Sequence, residues 1–353
     1  MRMTLTIVTM ASPPPTNSAA TLALDTPPAS ARVRAEVLGI GSYSPDGVIT
    51  NAELEARVET SDAWIMERTG IRERRRAGSG ETASSMGAEA ARVALERAGS
   101  PRVDAVLVAT ASPDTLFPST ACLVQRRLDL HGIPAFDLGA ACSGFIYGLV
   151  VAESLIRSGR VGTALVIGSE AMTSLVDYGD RSTCVLFGDG AGAVVLGGAD
   201  GGGICAARWG ADGRSADLIY YGTPAEAPGA EPGVRMAGKG TFRLAVERLT
   251  EMGQGLCADA GWSVDDVHHV IPHQANLRIV EATAKRLGVG MDRVFFNGDR
   301  FGNTSSASIP LALADADRMG RLHRGDRIVS VAFGSGATWG GVALEWSLEP
   351  PPR

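Results

Sequence analysis

Cys142, His273 and Asn303 are the residues of this sequence whose types and settings could do chemistry together. Cys142 lies among small residues, Gly139-Ala-Ala-Cys-Ser-Gly144, just ahead of a long apolar stretch. A cysteine at the start of a buried helix has partial positive charge and free backbone N–H groups beside it, which favour thiolate over thiol and make a nucleophile. The competing reading is an inert core residue, the ordinary state of a free cysteine. Cys122, Cys184, Cys205 and Cys257 have no such setting and read as structural. Among five histidines, His273 in Ile271-Pro-His-Gln-Ala-Asn276 follows a buried strand, where α/β enzymes place functional groups on loops. Alone, it is as readily a structural loop histidine. Asn303, in Gly302-Asn-Thr-Ser-Ser-Ala307, offers a neutral amide, although Asn-Thr ahead of a helix is often a cap.

A repeat connects these residues. Cys142-Ser-Gly runs to Gly159-Arg160 and Asn303-Thr-Ser to Gly320-Arg321, an offset of 161 positions. Val103-Asp-Ala-Val106 maps onto Val264-Asp-Asp-Val267 by the same shift, and Ala98-Gly99 onto Ala260-Gly261 by a shift one larger. His273 then corresponds to Ser112. A duplicated α/β unit predicts that equivalent loops meet about a pseudo-twofold axis, with Cys142 and Asn303 in matching places.

The elements that must position these groups alternate between short apolar runs and helical periodicity, which predicts parallel strands joined by helices. In the first half the pattern predicts strands at Val33–Ser42, Ala105–Thr110, Ile133–Gly139 and Ala164–Gly168, with helices at Ser84–Ala98, Pro118–Leu130 and Ser143–Ser158. The second half predicts helices at Phe242–Ala260, Leu277–Leu287 and Ser305–Met319, with strands at Val267–Pro272, Val294–Asn297, Arg327–Phe333 and Gly341–Leu348. Val185–Leu196 reads as two strands around a Gly-rich turn; a phosphate loop is disfavoured there because no helix follows. Residues 1–32, rich in Pro, Ala and Thr, read as a disordered extension, followed by halves at 33–200 and 201–353. The apolar stretch Leu5–Ala11 is too short and threonine-rich for a convincing secretion signal.

Composition narrows the function. Charged residues are 20% of 353 and the net charge is −6, which argues against a nucleic-acid partner. Five cysteines without a C-x-x-C pair suit a reducing compartment, hence the cytoplasm, and disfavour metal binding by thiolates. No run of 18 apolar residues exists, so no membrane helix is expected.

Taken together, Ala140-Ala-Cys142-Ser-Gly-Phe, His273-Gln-Ala-Asn276-Leu-Arg278 and Gly302-Asn303-Thr-Ser-Ser-Ala resemble the Cys, His and Asn motifs of the β-ketoacyl-[acyl-carrier-protein] synthase III family of the thiolase superfamily. The similarity runs from about Val33 to Trp346, with supporting blocks at Thr60–Ile71, Phe187–Ala193 and Phe333–Gly340. It implies a five-layer α-β-α-β-α fold of two pseudo-symmetric halves, a homodimer, and no metal or redox cofactor. The implied reaction is acyl transfer from acyl-CoA to Cys142, then decarboxylative condensation with malonyl-acyl carrier protein managed by His273 and Asn303. The backbone N–H groups of Cys142 and Ser335 would form the oxyanion hole. Thr60, Trp64, Arg68, Arg181 and Asn276 match CoA-binding positions, with Trp64 and Arg181 expected to sandwich the adenine. Phe117, matched to a residue that closes the partner's acyl pocket, joins Phe242 and Phe333 there. Arg243, Arg278, Lys285 and Arg286 would receive the carrier protein, although singly each reads as a solvated charge. Ser335 departs from the glycine common at its place and serves only if its dihedrals permit. Other readings are a specialised natural-product ketosynthase or acyltransferase with a different acceptor, a plain acyltransferase or thioesterase needing no malonyl donor, and a silent subunit, which the presence of Cys142 disfavours.

Overall fold

The computed structural model describes residues 34–199, 202–222 and 232–351. The extension expected over 1–32 and the boundary expected at 200 and 201 lie outside them. Ala105–Ala109 is apolar and buried at every position because both faces of its strand are covered. It belongs to a sheet ordered Arg34–Tyr43, Asp189–Ala199, Thr163–Ala171, Ala105–Ala109, Ala135–Leu138. The last three strands are mutually parallel, and Asp189–Ala199 runs antiparallel to both its neighbours. The second sheet is ordered His269–Val270, Arg327–Gly334, Thr338–Glu345, Gly203–Ala211 with the same sense of pairing. A parallel bridge from Val270 to Val294 marks its fifth position. The duplication is therefore written in the strand order.

Five layers result. Helices Ala83–Arg97 and Thr120–Arg127 cover the outer face of the first sheet, and Gly238–Ala260 and Leu277–Leu287 that of the second. Between the sheets lie Gly144–Arg157 and Ser308–Arg318, which share a core with side chains of both. A helix enclosed this way meets protein on every side, and Ser308 through Asp317 are all buried, with Asp315 and Asp317 paired to Arg300 and Arg97.

Three expected elements differ. The strand at Val294–Asn297 contracts to the single bridge at Val294, and that at Val267–Pro272 is paired as a strand only at His269–Val270. Val185–Leu196 is not a hairpin: a one-turn helix, Arg181–Cys184, leads past Phe187 into one continuous strand, Asp189–Ala199. Its glycines serve packing rather than turning. A Cβ at Gly192 would lie 2.7 Å from the backbone N of Leu311, so the bare backbone lets the inner helix approach the sheet.

The repeat also needs correction at the site. The inner helices end alike, with left-handed Gly159 and Gly320, 161 positions apart. Their starts do not keep that shift: the left-handed residue that begins each opening 3-10 turn is Ala141 in one half and Ser305 in the other, 164 apart. The second inner helix has 11 residues against 14, which accounts for the difference. The counterpart of Cys142 is therefore Ser306, and Asn303 stands just before the equivalent turn.

Candidate active site

Cys142 sits in the 3-10 turn Ala141–Ser143 that opens helix Gly144–Arg157. Ala141 has φ +44°, a conformation that costs a non-glycine residue about 1–3 kcal/mol and must be held by its surroundings. Thr338 Oγ1 donates to Ala140 O at 3.0 Å, and Ser143 Oγ donates to Thr338 O at 3.2 Å. Gly334 packs so closely that a Cβ there would lie 2.8 Å from the Cys142 amide nitrogen. Two strands of the second half, Arg327–Gly334 and Thr338–Glu345, thus clamp the cysteine of the first.

The helix terminus does not yield a resting thiolate. Burial pushes the Cys142 thiol up to about 12, with Glu170 adding to the rise and a Ser305 hydrogen bond opposing it. Burial thus acts against the ionisation that a helix terminus favours. Cys142 is a neutral thiol whose proton must leave during reaction.

His273 is buried beside it at the end of the ladder, its N–H donating to Val331 O at 2.8 Å. Burial lowers the imidazole to about 4, so it is neutral near pH 7. Its Nδ1 lies 2.6 Å from Ser308 Oγ, which also accepts the Gln274 N–H at 3.3 Å. Ser308 thus holds the ring through Nδ1 and leaves Nε2 free of that bond.

Asn303 is oriented by its own backbone neighbours. Its Oδ1 accepts the Ser305 N–H at 2.9 Å, its N–H donates to Leu186 O at 2.8 Å, and its C=O accepts from Gly188 N–H at 3.1 Å. The capping reading is therefore met in part, by Oδ1. The Nδ2 amide, without a protein hydrogen bond among the described residues, remains as a donor. Fully buried Arg74 braces this wall, donating to Val185 O through Nη2 at 2.6 Å and Nε at 3.1 Å. Desolvation lowers its guanidinium to about 10, so it stays charged.

Cys142, His273 and Asn303 line one cavity of about 730 Å³, together with Trp64, Arg68, Phe242, Asn276, Arg278, Phe333 and Ser335. Ser335 Oγ donates to Ile219 O at 2.5 Å, while the positive φ of its loop falls on Gly336 at +133°, so the serine is accommodated without left-handed strain. Asn276 caps helix Leu277–Leu287 through Oδ1 to Arg278 N–H at 2.9 Å. Arg181 lies outside the cavity lining with its guanidinium 5.0 Å from the Trp64 ring centroid and a 2.7 Å bond to Glu59 O. The two stack on each other, so a base between them requires Arg181 to swing out. Thr60 does not line the cavity; its hydroxyl is buried without a partner among the described residues. Arg243, Lys285 and Arg286 are exposed on the two outer helices of the second sheet, away from the lining. Phe117 is 85% exposed beside Leu116 at 93%, so neither closes a pocket within its own chain. Sequence reasoning missed Lys239, Tyr220 and Ser305 at the cavity wall, and Ser308 behind it. It also missed Glu170, signalled only as a lone acid ending an apolar strand. Among the described residues no cluster of three or more His, Cys, Asp or Glu could hold a metal ion.

Family models described as 3-oxoacyl-[acyl-carrier-protein] synthase III match residues 136–213, and its C-terminal part matches 257–346. The chain is 49% identical over 322 residues to the β-ketoacyl-[acyl-carrier-protein] synthase III of Alkalilimnicola ehrlichii, covering 88% of this chain and 99% of that protein. The solved 3-oxoacyl-(acyl carrier protein) synthase III of Pseudomonas aeruginosa PAO1 is 43% identical, with a TM-score of 0.86 over 90% of this chain and all of that one. A priming β-ketosynthase from a polyketide biosynthetic pathway is 37% identical, with a TM-score of 0.87 over 91% of this chain and 98% of that one. Fold, motifs and identity over almost the whole length of these relatives agree: the chain belongs to the β-ketoacyl-[acyl-carrier-protein] synthase III family and has the thiolase fold.

Proposed function

We propose that this enzyme starts fatty acid synthesis by moving an acyl group from acyl-CoA to Cys142 and condensing it with malonyl-acyl carrier protein. The observation that carries the reading is one cavity holding a thiol, a neutral imidazole donor and a free amide donor. In the first half-reaction the Cys142 sulfur attacks the thioester carbonyl, the carbon–sulfur bond to CoA breaks, and CoA leaves as its thiol. The backbone N–H groups of Cys142 and Ser335 are proposed to receive the oxyanion, a reading supported by the close packing of Gly334 against the Cys142 amide. In the second, the malonyl group loses carbon dioxide and its electron pair forms an enolate. His273 Nε2–H and Asn303 Nδ2–H donate to the enolate oxygen, and its carbon attacks the acyl-cysteine, freeing the sulfur. A neutral amide suits position 303 because a carboxylate would repel the developing charge. The reaction so written uses no metal or redox cofactor.

Trp64, Arg68, Arg181, Asn276 and Thr60 are proposed to receive CoA, its adenine displacing the Arg181 stack. Exposed Arg243, Arg278, Lys285 and Arg286, on adjacent helices, present positive charge to an acidic carrier protein. No helix among the described residues is long and apolar enough to cross a membrane, and we place the enzyme in the cytoplasm. The apolar pair Leu116 and Phe117 supports a homodimer in which each copy's loop closes the other's acyl pocket, with Phe242 and Phe333 on the chain's own side. Phe117→Asp is expected to leave a monomer in size-exclusion chromatography with light scattering; an unchanged dimer would remove this loop from the interface.

Intact-protein mass spectrometry with a panel of acyl-CoA donors tests the whole reading. The expected result is a single acyl adduct on Cys142 that disappears, with release of β-ketoacyl product, once malonyl-carrier is added. Loss of the adduct to water or a nucleophile without malonyl donor would favour a thioesterase or plain acyltransferase.

A further inference from the structure

The proposed chemistry uses only the backbone N–H of Ser335, while its hydroxyl ties together two parts of the cavity. Ile219–Gly222 and Gly233–Met236 form a two-stranded sheet separate from the two large ones. Five of its side chains, Ile219, Tyr220, Tyr221, Val234 and Met236, line the cavity. Ile219, Val234 and Met236 belong to an apolar cluster with Phe187, whereas Tyr220 and Tyr221 are each 45% exposed. A two-stranded sheet on its own is marginal in water, so its place depends on what it is fastened to. Arg235 fastens the second strand to the first half of the chain, Nη1 donating to Asp177 Oδ2 at 2.8 Å. Ser335 fastens the first strand to the loop after Arg327–Gly334, Oγ donating to Ile219 O at 2.5 Å.

The backbone of the same serine faces the nucleophile. Its C=O lies 3.0 Å from Thr338 Oγ1, which is also 3.0 Å from Ala140 O, and its neighbour Gly334 packs against the Cys142 amide. Asp212 and Ala337 exchange backbone hydrogen bonds of 2.8 and 3.0 Å, so this loop meets the segment leading into the small sheet at two places. The wall at Ile219 is thus one side chain away from the loop that carries the proposed oxyanion donor. The cavity of about 730 Å³ must hold the pantetheine arm as well as the acyl group, so a fixed wall limits chain length. We infer that the Ser335 hydroxyl selects the acyl donor: it holds the Ile219 strand against the oxyanion loop, sets the depth of the apolar lobe beside Cys142, and excludes long straight acyl chains. Without the hydroxyl, Ile219 O is released, and the strand, with both tyrosines partly in solvent, has room to move outward. Each additional buried methylene is favourable, so long donors gain from that movement and short ones do not. The inference rests on Cys142 being acylated from acyl-CoA.

Ser335→Ala removes the hydroxyl with the least change of shape. Rates of acylation by intact-protein mass spectrometry, with acetyl-CoA and octanoyl-CoA as donors, give the kcat/KM ratio for each protein. The octanoyl-to-acetyl ratio is expected to rise about 10-fold over the wild type, through a lower KM for octanoyl-CoA, in the range by which an apolar pocket discriminates a methylene. A general loosening of the fold, or a displaced oxyanion N–H, would slow both donors alike, because both form the same oxyanion. Ser335→Gly should show the same shift, and it carries the test if Ser335→Ala does not fold. An unchanged or lower ratio, or equal losses for the two donors, would overturn the inference. Wild-type protein that takes no acyl group at Cys142 from any donor would instead overturn the proposed function.

Discussion

Cys142→Ala should take up no acyl group from any CoA donor, and overall condensation should fall by about 10⁴-fold or more, since removing a covalent nucleophile leaves only binding and oxyanion stabilisation. Mass spectrometry would show the unmodified mass under conditions that label the wild type. The change should cost the fold little, because Cys142 is only half-buried and a thiol gives way to a methyl at the same backbone angles. Cys142→Ser should also fail to label, its hydroxyl sharing the buried setting that already pushes the thiol up to about 12. An adduct persisting in Cys142→Ala would move the nucleophile elsewhere. Buried Cys184 and Cys257 lie in other settings, and neither lines the cavity.

His273→Ala and Asn303→Ala should separate the half-reactions. Both are expected to acylate at Cys142, since neither residue is asked to take the thiol proton. Each should lose about 10²–10³-fold in carbon dioxide release from malonyl-carrier, the cost of one preorganised donor to a developing anion. Asn303→Asp should be worse than Asn303→Ala because it adds a negative charge facing the enolate. The pH dependence has a definite sign. With the folded imidazole lowered to about 4 against an ordinary 6.5, His273 stays a neutral donor from pH 8 down to about 5, so His273 should produce no loss of condensation in that range. The unfolded chain binds the proton first, so this histidine destabilises the fold as pH falls below 6.5, until about pH 4. His273→Ala should remove that part of the melting-temperature decline. A variant that fails to acylate would show instead that the residue serves the first half-reaction.

Much of this was legible in one dimension. Ala105–Ala109 announces a strand covered on both faces, and the apolar helix after Cys142 announces burial between layers, because periodicity reports directly on which faces meet water. Cys142, His273 and Asn303 were legible because each sits at the end of such an element. Less legible was whatever depends on two segments distant in sequence. The glycines around Gly190 read as a turn, and only the inner helix packed against Gly192 explains why they continue a strand. Trp64 and Arg181 were expected to flank a base, and their stacking on each other follows from the short helix Arg181–Cys184.

The succession of strands and helices and the candidate groups at their ends follow from local patterning, since backbone propensity and hydrophobic period act over a few residues. The ionisation of those groups does not, because it depends on how much water tertiary packing removes. A helix terminus favours a thiolate, whereas the loss of water around Cys142 acts the other way and pushes the thiol up to about 12. Likewise the orientation of the His273 ring is set by Ser308, 35 positions away, and the register that pairs Cys142 with Ser306 rather than Asn303 by where the inner helices begin. Hydrogen bonds and burial between remote segments act only once the chain has folded, so local sequence pattern names the groups while packing sets their protons.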